Sequence, residues 1–281
     1  MSIELSSTTI MQDLTPTLLL AAALFAAQPA EALDLPAPAV LQASLAAKLQ
    51  TIEVLEPHLS GGQRQVRYLG YPAPQLLDHL LGPRWRKDAE QEIELRALDG
   101  FVSRIPVARF LKHAAFLVVA RADGAAFQVD NQLQNEKAVA LAPYYLVWDN
   151  LRSPELQAEG GALWPYQVAH ISLRPSSRAA LLPGQMAKRW ATQAAWVQKY
   201  CLSCHQVNGY GGDKLPLNLA QRARELDAAA WQRQLLSPAS LKPGSSMPAL
   251  PDSFSPASRA SVAAQLHDYL KALPLAPKVL W

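Results

Sequence analysis

Both cysteines of the 281-residue chain stand in one short run, Cys201-Leu202-Ser203-Cys204-His205. The two thiols lie one helical turn apart, and an imidazole follows at once. Three chemistries use such a run: covalent haem attachment, a thioredoxin-like redox pair, or half of a zinc site. Zinc asks for two more strong ligands at short spacing, and the chain has no second Cys pair and no H-x₃₋₅-H. A redox pair of the thioredoxin kind follows a strand in a βαβ unit, whereas this run closes a helical pattern. Chance would place the residues so on the order of once in 10,000 arrangements. The run therefore reads as haem attachment, with both thiols reaching the vinyl groups of one porphyrin and His205 carried under the iron as proximal ligand.

A six-coordinate electron-transfer haem needs a second axial ligand, commonly a thioether, which favours the reduced iron. Of four methionines, Met1 and Met11 fall in the leader and Met186 lies in the helix ahead of the cysteines. Met247 remains, in "LKPGSSMPALP", where Gly, Ser and Pro let the chain bend over the opposite haem face. Core filling is the ordinary role of a lone methionine. The loop position and the need for a partner to His205 favour ligation. His267 is the fallback, expected at the surface of the last helix.

These residues need a scaffold. Met186, Trp190, Ala194, Val197 and Cys201 share one helical face, which brings the cysteines to a helix end. Leu226 and Ala230 support a middle helix that stops before Ser237-Pro238. Val262, Leu266, Tyr269, Leu270 and Leu273 form the inward stripe of a last helix ended by Pro274. Residues 185–281 are thus expected to form a small all-α domain. Upstream, "RPSSRAALLPG" marks a joint at 175–184. Residues 46–174 mix strands and helices, so an α+β domain is expected there. "EIELRALDGFVSRIPV" predicts a hairpin about Asp99-Gly100, and "HAAFLVVARADGAAFQV" a second one about Asp123-Gly124. "PQLLDHLLG" predicts a short helix closed by Gly82, and "YYLVWDN" and "YQVAHISLR" predict two more strands.

The N-terminus reads as a signal peptide over residues 1–32. The apolar run Leu18 to Ala27 precedes Ala30-Glu31-Ala32, a small-x-small cleavage pattern, and is too short to cross a bilayer comfortably. No basic residue precedes Lys48, and a buried Ala/Leu helix is the other reading. Residues 33–45 form a Pro-rich leader. Net charge is +3, which points to no nucleic acid. From Gln185 onward, however, 11 Lys/Arg face 5 Asp/Glu, an excess able to steer an acidic partner.

The stretch from Ala187 to Leu273 resembles a class I cytochrome c domain, in the helix entering "CLSCH", the "NGYGG" loop, "PGSSMPAL" and the closing "AAQLHDYLKALP". The resemblance implies one covalent haem c, thioethers on Cys201 and Cys204, and iron ligated by His205 and Met247. Pro216 stands where the family has a proline whose carbonyl accepts the His Nδ1–H. The family usually has Gly before that proline, and this chain has Leu215. Haem attachment of this kind follows export, so a periplasmic protein is expected, with membrane association only through a partner or an uncleaved leader.

Residues 68–173 resemble more weakly the molybdopterin-binding domain of sulfite-oxidase-type enzymes, through "LRALDGFVSRIPVARF", "APYYLVWDN" and "WPYQVAHISLR". That family binds molybdenum through a cysteine thiolate, and both cysteines here are committed elsewhere. No molybdopterin is therefore expected. His58, His79, His113 and His170 show no metal-like spacing. Tyr144, Tyr145, Trp148, Trp164 and Tyr166 read as core packing, or else as a docking face for a partner. The expected function is single-electron transfer between redox proteins, a dehydrogenase, an oxidase or another cytochrome, with the first domain for docking. The alternatives are a haem enzyme or gas sensor with a displaceable Met247, and a ligand-binding module with a structural haem.

Overall fold

The computed structural model describes residues 32–45, 48–58, 62–131, 136–176, 178–251 and 254–276. Of the expected signal peptide, all but Ala32 lies outside the described residues. The chain begins β1 (Leu33–Asp34), α1 (Pro38–Ser44), β2 (Gln50–His58), β3 (Gly62–Pro72), α2 (Ala73–Leu81), β4 (Glu92–Ala97), β5 (Val102–Pro106) and α3 (Val107–Lys112). It continues with β6 (Ala115–Arg121), β7 (Gln128–Asn131), β8 (Glu136–Ala140), β9 (Tyr145–Trp148), α4 (Pro154–Glu159) and β10 (Val168–Arg174). Then come α5 (Arg178–Leu181), α6 (Ala187–Tyr200), β11 (Gln206–Val207), β12 (Tyr210–Gly211), α7 (Leu219–Glu225), α8 (Ala228–Leu236), α9 (Pro238–Leu241) and α10 (Pro256–Ala272). The fold is a mixed α+β one.

Two antiparallel four-stranded sheets organise the first half, in the orders β1-β10-β4-β5 and β2-β3-β6-β9. Their inner faces share one apolar cluster that includes Val54, Tyr68, Ile93, Leu117 and Trp148, with α2 adding Leu76 and Leu77. A second, separate cluster is built from helices after residue 180 and holds Val197, Trp231, Leu266 and Leu270. Burying each such leucine removes it from water at a gain of about 1.5–3 kcal/mol. The 3.6-residue stripe on α10 is buried as its spacing requires: Val262, Leu266, Tyr269 and Leu270 all lie inside.

Four expectations change. The Pro-rich leader is part of the first domain: β1 pairs with β10, and Leu41 of α1 is fully buried. The joint is not an open linker, since Leu181 sits in the second cluster. The strand after Asp123-Gly124 turns away from β6 and pairs with β8, because β6 already has β3 and β9 on its two edges. The middle helix is two helices, α7 and α8, broken at Leu226-Asp227, where Asp227 caps α8 by accepting from the Ala230 amide.

Candidate functional site

Helix α6 ends at the first cysteine, whose amide still donates to the Val197 carbonyl at 2.9 Å. The C-x-x-C-H run then coils on itself, the His205 amide donating to Cys201 O at 3.0 Å. The run is closed from outside by Gly212, whose amide donates to Leu202 O at 2.7 Å and to His205 O at 3.1 Å. A Cβ at Gly212 would collide with the Ser203 carbonyl, so glycine is required by the close approach alone. This gives the "NGYGG" segment its structural task.

Cys201, Cys204, His205 and Met247 all line a single cavity of about 440 Å³. Neither cysteine is in a disulfide, and both are half-buried. Burial first, and the neighbouring Cys204 second, push the Cys201 thiol up to about 12. Burial thus disfavours at Cys201 the low-pKa thiolate that disulfide exchange uses. Among the described residues no group of three or more His, Cys, Asp or Glu could hold a metal ion.

The His205 ring is nearly buried, and that burial holds it neutral, below the usual histidine range. Its Nδ1 lies 3.1 Å from the Leu215 carbonyl, which fixes the tautomer with Nδ1 protonated and leaves the Nε2 lone pair for a ligand. The acceptor is thus Leu215 rather than Pro216. The Leu215 amide is tied to Cys204 O at 2.9 Å, and this bond turns its own carbonyl toward the ring one position before the proline. The loop carrying Met247 is pinned by the Leu250 amide to Leu235 O of α8 at 2.9 Å. The Met247 sulfur accepts from Gln234 Nε2 at 3.3 Å. His267 is not at the surface: it is buried, stacked on Trp231, with Nε2 within 2.8 Å of Ala223 O. Its ring nitrogen is engaged, and it lies outside the cavity lining.

The first domain supplies the facing wall. Phe101 from the β4–β5 turn, with Tyr145, Trp164 and Tyr166, lines the same cavity. Of the five aromatics grouped in the sequence, Tyr144 and Trp148 are wholly core. Tyr145, Trp164 and Tyr166 face the space between the two halves. Of the remaining histidines, His170 pairs with Asp34 at 2.7 Å, His113 lies 3.8 Å from Glu155 and His79 is exposed, while the side chain of His58 lies outside the described residues. The first domain has no cysteine, so it offers molybdenum no thiolate.

No family model, no curated protein and no solved structure matches this chain. The function therefore has to be argued from the site. Two thiols, a neutral imidazole oriented by a backbone carbonyl and a thioether oriented by an amide fit a covalently held, six-coordinate haem by the chemistry of the donor set. Sequence reasoning missed three of the residues involved. Leu215 acts through its carbonyl and Gln234 through a contact set by tertiary packing, and neither leaves a trace in residue type. Tyr210 was missed as well, although two glycines follow it in the loop after His205. Its hydroxyl reaches the buried Glu92 of the first domain at 3.2 Å, and its ring lies under the Arg104 guanidinium at 4.7 Å.

No described helix is long and apolar enough to cross a membrane.

Proposed function

We propose that this chain is an exported mono-haem c-type cytochrome that passes single electrons between redox partners. The observation that carries the proposal is the convergence of Cys201, Cys204, His205 and Met247 on one cavity. When bound, haem supplies a one-electron iron couple. Cys201 and Cys204 hold the group, and His205 presents Nε2 with its ring orientation set by Leu215. Met247 offers its sulfur from the opposite loop, a ligand that favours the reduced state. Phe101, Tyr145 and Trp164 keep water from one side of the cavity, which raises the electrostatic weight of every ligand within it. Lys188, Arg189 and Lys199 are exposed along α6 and suit an acidic partner at modest salt. The outer face of the first domain serves to dock a dehydrogenase or oxidase.

The test is made on full-length protein exported during expression. The expected result is one covalent haem per chain by intact mass, with low-spin optical spectra in both redox states. Protein without covalent haem overturns the proposal. Haem-loaded protein whose reduced form binds carbon monoxide at once replaces electron transfer by catalysis or gas sensing.

A further inference from the structure

The β4–β5 hairpin belongs to the first domain, yet its tip is bonded to the segment that holds His205. The Val102 amide donates to Ser203 O at 3.0 Å, and Ser203 lies between the two cysteines. The Asp213 amide approaches Gly100 O at 3.4 Å. Two ion pairs flank these backbone bonds, Arg96–Asp213 at 2.5 Å and Lys214–Asp99 at 2.5 Å. Gly100, with φ of 83°, lets the turn come this close, since a Cβ there would press on Asp213 and Lys214. Asp213 and Lys214 immediately precede Leu215, whose carbonyl orients the imidazole.

We propose that Arg96 and Asp99 are positioning residues for the proximal histidine: by clamping Asp213 and Lys214 they hold the Leu215 carbonyl against His205 Nδ1. This rests on the haem reading above. A carbonyl accepting from Nδ1–H makes the imidazole a more basic ligand and so stabilises the oxidised iron. The first domain then sets the redox poise of the second through four residues, two on each side of the joint. Loosening the clamp lengthens the Nδ1–H···O contact, weakens the ligand and shifts the couple toward the reduced state.

The experiment uses the full-length haem-loaded protein and two charge-balanced double variants, Arg96→Met with Asp99→Asn, and Asp213→Asn with Lys214→Met. Each removes both ion pairs without changing net charge, so either one suffices if the other fails to fold. The control is Asp123→Asn, which breaks the Arg121–Asp123 pair of the first domain at the β6–β7 turn. At a fixed applied potential the reduced-to-oxidised ratio is expected to rise about three- to tenfold in the doubles, tenfold being about 59 mV for one electron. Exchange of the His205 Nδ1 proton in the reduced protein is expected to quicken. The control should move neither. Haem-loaded doubles with unchanged ratio and unchanged exchange overturn the clamp and leave the haem reading standing. Parent protein without haem by intact mass overturns both.

Discussion

His205 Nδ1 and the Leu215 carbonyl lie 3.1 Å apart, a contact between a side chain and a backbone group ten positions on. Because the acceptor is main chain, truncating the Leu215 side chain leaves this contact in place. Leu215→Ala should leave the optical spectrum and midpoint potential of the haem-loaded protein as they are. Leu215→Pro removes the amide that anchors this residue to Cys204 O, and the potential should rise. Redox titration of the two variants side by side checks the contrast.

Met247, the proposed second ligand, gives a second pair of expectations. Met247→Ala should open the sixth position, so that the reduced protein binds carbon monoxide, and should lower the midpoint potential. Gln234→Leu should keep six-coordination. It removes the N–H that draws density from the Met247 sulfur, which makes the thioether a better donor to oxidised iron and lowers the potential by a smaller amount. Spectroelectrochemistry with and without carbon monoxide separates the two.

Glu92 links pH to stability across the domain joint. Its carboxyl is almost fully buried and accepts from the Tyr210 hydroxyl. Desolvation is the main cause of its raised pKa, only partly opposed by Arg104 and the hydrogen bonds. With the folded pKa above the unfolded value of about 4.3, the folded state holds more protons between the two values, so stability falls as pH rises through that window. Glu92→Gln keeps an acceptor for Tyr210 and cannot ionise. Its melting temperature should exceed the parent's at neutral pH and vary less across the acidic range, as thermal unfolding at several pH values would show.

Two substitutions test the scaffold. Trp231 is buried in the second cluster with its indole N–H donated to Ala263 O at 3.0 Å. Trp231→Ala should cost about 3–5 kcal/mol in denaturant unfolding. Gly212→Ala places a methyl group against the Ser203 carbonyl and should lower the yield of covalently loaded protein, measured by haem stain against total protein.

Much of the site is local in the chain. The C-x-x-C-H run, the helix that delivers it and the Met247 loop are each short, the helix with its 14 residues being the longest, and short-range periodicity and turn chemistry describe such segments well. The β4–β5 and α10 expectations are met for the same reason: Asp99-Gly100 forms the turn, and the apolar stripe of α10 is continuous. The alternation in β4 misleads in one respect, since it places Glu92 and Glu94 outside. Both are buried, Glu94 against Arg104 at 2.8 Å and Glu92 against Tyr210. A carboxylate can enter an interior when a partner far along the chain meets it, and alternation carries no sign of that partner.

By itself, then, the sequence determined which candidate donor groups are present, two thiols, an imidazole and a thioether, along with the helix and the loop that carry them, because identity and spacing are written residue by residue. Only the tertiary structure decided that the first domain walls the cavity, that its hairpin grips the segment behind His205, and that Leu215 rather than Pro216 accepts the imidazole proton. Those features are contacts across as many as 117 positions or through main-chain atoms, and neither kind leaves a pattern in residue type.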